Sequence, residues 1–442
     1  MSAAPQAGRG RSDALAVLVA QVGMLGASLV VQALLAWQLL PAGRGEYAVL
    51  AVFGSLLPAL CAVGLDRAVQ YQLMSGKITL AVALGSSGLL VLVAAVGAIV
   101  LLVAAGVAGL PTTPPDDAGW WLAAVLLIVG SLAHTVALRL HIAVRAYRRY
   151  LYANLLQSLV SVGALLVVLA VFDGGYVLAA MALALSYLCA AALSVRWLVR
   201  DADGSLGLLA PERRREAFGF GVRFYPTLVG HAVDFNAGTL VLAAMATASE
   251  VGIYAALSAL MLKFLIVAQA LQEALLPRVA ADSIGIPAMV AQMARLAVVA
   301  TFVVVAVFLA AGEWIVALLL SPAFVAGVAV AWWLAPGIVA HAASAVLMPH
   351  FEGRGMPGVV SLATWVGLVA NVLSLLVLYP RMGIAGAGLA MTVGLLVRLL
   401  VLLFRFRHSS GTSFGEVLVP RRGDLALAWS VVQSLRRKVR VA

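Results

Sequence analysis

Long apolar runs follow one another along almost the whole chain, separated by short polar breaks. A helix needs about 20 apolar residues to cross the ~30 Å hydrocarbon core of a bilayer, and the runs supply roughly twelve such lengths. With 64% of the 442 residues hydrophobic and 11% charged, a soluble arrangement could not cover its surface with polar groups. The expected fold class is therefore an all-α polytopic membrane protein. The spans read as 13–40, 47–73, 78–110, 118–144, 151–172 and 176–199, then 217–246, 251–276, 288–311, 326–349, 357–379 and 384–404. The third is long enough to tilt or break, and the run after Glu313 is too short to span and reads as an interfacial turn.

A net charge of +11 would point to nucleic acid in a soluble chain. Here it belongs to loops beside a bilayer, and no nucleic-acid partner is expected. Most of the 29 Lys and Arg fall on the side of the N-terminus: Arg9, Arg11, Lys77, the cluster Arg139 to Arg149, Arg196 to Arg215, Arg278, Arg295, Arg354 and the tail. The other side carries Arg44 and Arg381 among Glu46, Asp117, Glu250 and Glu313. By the positive-inside rule both termini are cytoplasmic. The N-terminus shows no cleavage-site pattern, so no processing is expected. Arginine far outnumbers lysine and Ala, Gly and Val are abundant, a composition that points to a GC-rich bacterial genome and a bacterial cytoplasmic (inner) membrane. Cys61 and Cys189 lie inside apolar runs and read as small core residues, with no disulfide or metal framework.

The chain divides as a cytoplasmic N-terminus (1–12), six spans (13–199), a cytoplasmic linker (200–216), six further spans (217–404) and a basic tail (405–442). The halves repeat weakly in one register. Gly45-Glu46-Tyr47-Ala48 matches Gly252-Ile253-Tyr254-Ala255 at an offset of 207 (252 − 45), which also brings Asp66 onto Glu273. Arg148 with Arg354, and Ala180-Met181 with Ala390-Met391, fall close to that offset. Equivalent spans run in the same direction, so the repeat is parallel, about an axis along the membrane normal.

Charges within spans cost about 2.5–3.5 kcal/mol at the bilayer centre and usually face a partner or a cavity. They are Asp66, Arg67, Arg223, Asp234, Lys263, Glu273 and Arg398. Spans 7 and 8 form a hairpin that puts Asp234 at the depth of Lys263 and Arg223 at the depth of Glu273. Either these pairs only neutralise one another and fix packing, or they line a water-filled cavity that attracts an anionic headgroup, with Lys263 the leading cation. Arg67 and Arg398 stand near enough to the cytoplasmic face to snorkel. Pro226 would kink span 7 and act as a gate, or serve packing alone; Pro58 and Pro336 are similar. Gln21, Gln32 and Gln38 punctuate span 1 and face a lumen or bond neighbouring helices, while His134, His231 and His341 have no ligand spacing. The tail from Leu425 to Val439 has the spacing of an amphipathic surface helix or of a solvated end. Protease, nucleotide-binding and hydrolase motifs are missing and every outward loop is short. The chain is thus expected to be no enzyme, with no catalytic residue, metal or cofactor.

The stretch Leu40-Pro41-Ala42-Gly43-Arg44-Gly45-Glu46-Tyr47, followed by Val63-Gly64-Leu65-Asp66-Arg67-Ala68, resembles the opening of polysaccharide-transporter proteins. So do Phe218-Gly219, Tyr225-Pro226 and Asp234, then Leu275-Leu276-Pro277-Arg278, Phe351-Glu352-Gly353-Arg354-Gly355 and Gly383-Ile384-Ala385-Gly386-Ala387-Gly388. Together they are similar to the multidrug/oligosaccharidyl-lipid/polysaccharide (MOP) exporter superfamily, in its Wzx-like flippase branch. The resemblance implies two six-helix lobes around a central cavity and a polyprenyl-diphosphate-linked glycan as substrate, moved to the outer leaflet by alternating access. It implies cations that hold the diphosphate, a role open to Lys263, Arg223, Arg67 and Arg398, with Asp234, Glu273 and Asp66 as coupling or ion-pair carboxylates. Membrane lipids are partners, and a glycan polymerase or assembly protein is an open one. The alternatives are a MATE-like multidrug or cation antiporter, a lipid II flippase, a major-facilitator transporter and a non-transporting scaffold of a glycan-assembly complex.

Overall fold

The computed structural model describes residues 7–107, 117–168, 174–280 and 285–421. The first six residues and the tail from 422, including the expected amphipathic helix, lie outside the described residues, as does the side chain of Gln21. No strand occurs among the described residues. The helices are α1 (Ala7–Cys61), α2 (Leu65–Met74), α3 (Leu80–Val107), α4 (Ala118–Ala143), α5 (Tyr147–Leu166), α6 (Tyr176–Asp201), α7 (Pro211–Ala243), α8 (Ala248–Leu262), α9 (Ile266–Ala280), α10 (Ile286–Ala310), α11 (Gly312–Leu319), α12 (Val328–Gly353), α13 (Pro357–Met382), α14 (Ile384–Ser410) and α15 (Phe414–Leu418).

Among these residues nine helical stretches are long and apolar enough to cross a membrane, against twelve spans read from the sequence. The difference lies in three places. Spans 1 and 2 form the single stretch α1, while α5 and α7 are helices too polar to qualify on hydropathy. The polar break expected at 41–46 is a kink. Leu40 alone is non-helical (φ 55, ψ −179), because the residue before a proline is driven out of the α region and Pro41 then starts a new helix. Arg44, expected in an outward loop, is therefore buried; it donates to Gln32 Oε1 at 2.6 Å and lies 5.1 Å over the Tyr47 ring. Span 2 ends early for a similar local reason. Val63 (φ 47) and Gly64 (φ 71) turn left-handed, and a short helix α2 restarts at Leu65. Span 8 is likewise interrupted, by a 3-10 turn at Lys263–Leu265 between α8 and α9. The run after Glu313 forms α11 and then a 3-10 segment, Pro322–Gly327, that leads into α12.

Two compact units emerge from the packing: 1–253 with 319–323, and 254–318 with 324–442. In the first, α4 packs on α6, α5 on α6, and α1 on α4, α5 and α7. Its core gathers Leu50, Trp120, Leu127, Ile128 and Leu165 with many alanines, small side chains that let helices approach closely where no hydrophobic drive separates them from lipid. In the second, α14 packs on α13 and α12, and α12 on α9 and α10. The last turns of α12, from Ala342 to Phe351, are buried throughout. Thr392 Oγ1 of α14 donates to the Trp333 carbonyl at 2.6 Å, the Tyr254 hydroxyl to Met391 Sδ at 3.6 Å, and the Arg295 guanidinium to the Glu416 carbonyl, which docks α15 on α10.

One pair of motifs matched in the sequence register meets inside the first unit. A Cβ on Gly45 would fall on the carbonyl oxygen of Ala248, and one on Gly252 would fall on that of Pro41. Pro41 and Ala248 are themselves 207 apart (248 − 41), as are Gly45 and Gly252. Equivalent glycines thus lie against equivalent carbonyls, the reciprocal pattern of a self-complementary two-fold contact.

Candidate functional site

In the first unit a polar cavity of about 410 Å³ opens among α1, α2, α4, α6 and α7. α1 supplies Ser55 and Pro58, the left-handed turn supplies Gly64, and α2 supplies Asp66 and Arg67. Ser131, Thr135 and Arg139 come from one face of α4 at i, i+4, i+8, and Tyr187 and His231 come from α6 and α7. The sharp turn at Val63-Gly64 makes this possible, because it swings α2 away from the axis of α1 and aims its first turn at α4. A side chain at Gly64 would strike the Gly221 backbone at 2.8 Å, so only glycine allows α2 to sit this close to α7.

Within the cavity Arg139 Nε stands 2.6 Å from Asp66 Oδ2. Asp66 is buried, whereas the Arg139 side chain keeps about a fifth of its surface open, and Arg67 is exposed along the same lining. Ser131 Oγ is turned back to the Gly54 carbonyl at 2.6 Å, and Tyr187 packs against His134 with ring centroids 5.6 Å apart. Two guanidinium groups against one carboxylate leave the lining positive, and guanidinium groups are the side chains best matched to phosphate oxygens. The arrangement sets two guanidinium groups along one lining, Arg139 engaged by Asp66. No cluster of three metal-ligating side chains occurs among the described residues.

Of the site residues named from the sequence, the structure brings Asp66 and Arg67 together in this cavity. Arg223, Pro226 and Asp234 lie on α7 outside the lining, which α7 reaches through Leu228 and His231; Arg223 is exposed and Asp234 half-buried. α7 runs through Pro226 as one helix, and its Tyr225 hydroxyl donates to the Leu60 carbonyl at 2.8 Å. Lys263, Glu273 and Arg398 belong to the second unit. Lys263 is half-buried in its 3-10 turn, and Glu273 is exposed on α9. Arg398, expected to snorkel, is fully buried instead, its stem packed against Gly367 of α13. Sequence reasoning missed Arg139 by counting it with the loop cluster that ends at Arg149. The missed signal was the polar stripe Ser131–Thr135–Arg139 inside an apolar helix.

The sequence matches the family described as polysaccharide biosynthesis protein over residues 11–281, more than half of the chain. No curated protein matches it. Among solved structures, the lipid II flippase MurJ in an inward closed conformation is similar at a TM-score of 0.67 and 10% identity, covering 89% of this chain and 87% of that one. An inward-facing MATE multidrug transporter of the MOP superfamily follows at 0.59 and 14% identity, covering 88% and 94%. A MOP transporter from Pyrococcus furiosus, whose binding pocket is described as reversed in polarity, gives 0.52 and 14%, covering 90% and 92%. These identities speak for the fold alone. With its apolar helices, this fold and the family match, the chain is a multi-pass membrane protein of the MOP transporter fold and belongs to the polysaccharide biosynthesis protein family.

Proposed function

We propose that the chain is a flippase that carries a polyprenyl-diphosphate-linked oligosaccharide from the cytoplasmic to the outer leaflet of a bacterial inner membrane, both termini cytoplasmic, by alternating access. The observation that carries this reading is the cavity of the first unit, where Arg67 and Arg139 outnumber Asp66. A diphosphate entering it would take the Arg67 fork and compete with Asp66 for Arg139, while the lipid tail stays in the bilayer. The family supports the glycan, and the likeness to a lipid II flippase supports a lipid-linked one. Lys263, Arg223 and Arg398 are further cations for the headgroup, Asp234 and Glu273 are carboxylates for coupling, and Pro226 is a gating position. A buried carboxylate in the cavity also fits a multidrug or cation antiporter; loss of drug tolerance on deletion, with glycan intermediates unchanged, would select that reading.

The test is depletion of the protein in its host, followed by assay of lipid-linked intermediates in each leaflet of sealed vesicles of known orientation. Accumulation on the cytoplasmic face is expected, reversed by the wild type and not by Arg139→Ala or Arg67→Ala. Unchanged sidedness would sink the flippase reading. Full rescue by both variants would point instead to a scaffold that carries nothing.

A further inference from the structure

A second crevice, of about 260 Å³, lies on the same unit and shares no lining residue with the polar cavity. Its walls are Leu65 and Val69 of α2, Leu89 and Val93 of α3, Leu208 of the 202–210 segment and Phe218 of α7. Leu89, Val93, Leu208 and Phe218 are exposed, so the slot opens outward through apolar side chains. Its one charged lining residue is Arg214, in the first turns of α7. The wall formed by the 202–210 segment is fixed: the Leu209 amide donates to Ser86 Oγ at 2.9 Å, and Gly207 lies so close to Gly85 that a Cβ there would strike its carbonyl.

This end of the unit is also its basic end, where Lys77, Arg149 and Arg213–Arg215 gather. The neighbouring guanidinium of Arg213 is engaged by Glu216, whereas Arg214 is exposed and donates through Nη2 to the Leu209 carbonyl at 3.3 Å, leaving the rest of its fork turned to solvent. A walled apolar slot with a single guanidinium at its mouth has the chemistry of a lipid site at a charged bilayer face.

We propose that this crevice binds one anionic phospholipid, with an acyl chain in the slot and the headgroup phosphodiester on Arg214. One cation matches the single charge of a phosphodiester, whereas a diphosphate carrier would call for more than one. The site is independent of the transport reading. It places a lipid where α2, α3, α7 and the 202–210 segment meet.

The test is native mass spectrometry of the full chain in detergent, titrated with dioleoyl phosphatidylglycerol or dioleoyl phosphatidylcholine. One phosphatidylglycerol adduct is expected to survive activation that strips phosphatidylcholine. Arg214→Gln should weaken it about fivefold, the worth of one basic contact to an anionic lipid. Leu208→Asp, an exposed position that puts a charge in the slot, should abolish it, and Arg215→Gln, outside the lining, should leave it unchanged. Equal binding of the two lipids, or equal losses in the Arg214 and Arg215 variants, would overturn the site. Displacement of phosphatidylglycerol by an equal concentration of polyprenyl phosphate would overturn its occupant. Should Leu208→Asp fail to fold, the contrast between Arg214→Gln and Arg215→Gln decides alone.

Discussion

The two ends of the first unit are closed by opposite means. At one end, just past the Leu40 kink, Gly45 and Gly252 bring backbone against backbone with no charge in the contact. At the other, α2 and the turn after it are joined to α7, and α5 to α6, through charged, polar and aromatic side chains: Lys77 and Arg213 on Glu216, Arg149 on Asp201, Gln72 Nε2 to the Arg213 carbonyl at 3.0 Å, and Tyr71 stacked on Phe220 at 5.0 Å. A glycine contact is rigid and short-ranged, because its strength is van der Waals packing that any added atom destroys. An ion-paired face is tolerant and adjustable, because each exposed pair is weak and water can replace it. One end of the unit is thus held by geometry and the other by contacts that pH and salt can alter.

The largest effects should come from the uncharged end. Gly252→Val and Gly45→Val each press a side chain into a carbonyl, and overpacking of this kind costs about 1–3 kcal/mol when the backbone can shift. Both should lower the thermal midpoint in detergent and abolish transport in the leaflet assay. Because the contact is reciprocal, the two should be alike in size, and the double variant should fall short of their sum. Unequal and additive losses would show that the two glycines do not share one contact.

Between the ends sits the Asp66–Arg139 pair, and its loss should rank second. Arg139→Ala leaves a buried carboxylate without its cation, for about 2 kcal/mol of destabilisation, less than the ~3–5 kcal/mol of a sealed pair because the cavity admits water. Asp66→Asn should be milder, since Arg139 can reach solvent. Chemical denaturation in detergent orders the two. Transport separates stability from function: Asp66→Asn retains both guanidinium groups and should still bind anionic lipid-linked substrate, whereas Arg139→Ala should not.

What could be read from the sequence follows the same division. Helical spans and the membrane were legible, because hydropathy is a property of long segments, as is the 207-residue register that the sequence carries. The Gly45/Gly252 contact was foreshadowed in that register, since the matched motifs are those that meet. Local backbone events were not legible. A break at Pro41 to Glu46 reads as a loop by its charges, but Leu40 absorbs the whole turn and leaves Arg44 buried against Gln32. Asp66 was recognised as an intramembrane charge and matched to Glu273 by the register, but no partner was assigned to it. The partner, Arg139, was hidden by its nearness to the basic loop, since a charge one turn inside a helix end looks the same in sequence whether it faces headgroups or a cavity. Arg398 shows the converse, a cation that reads as near the end of span 12 but stands mid-helix in α14, buried by packing.

The smallest effect, and the one that sharpens the contrast between the ends, belongs to Glu216. Lys77, and after it Arg213, donate to its carboxylate and hold its pKa below the ordinary 4.5. A carboxyl with a depressed folded pKa stabilises the fold above the pKa of the unfolded chain and loses that contribution as the pH falls through the folded value. The basic end should therefore loosen in acid, below about pH 4.5, and Glu216→Gln should flatten that acid limb because the variant already carries the small loss at neutral pH. Because the cluster is open to solvent, ~1 M salt, with its Debye length of about 3 Å, should mimic the substitution in the wild type and add nothing to the variant. Hydrogen exchange of the first turns of α7 reads the loosening locally. The glycine end supplies the control: no charge takes part in the Gly45–Gly252 contact, so amides of the first turn of α8 should keep their protection under the same acid and salt. Loss of protection at both ends together would mean that they open as one body, and that the difference in their chemistry is not a difference in their control.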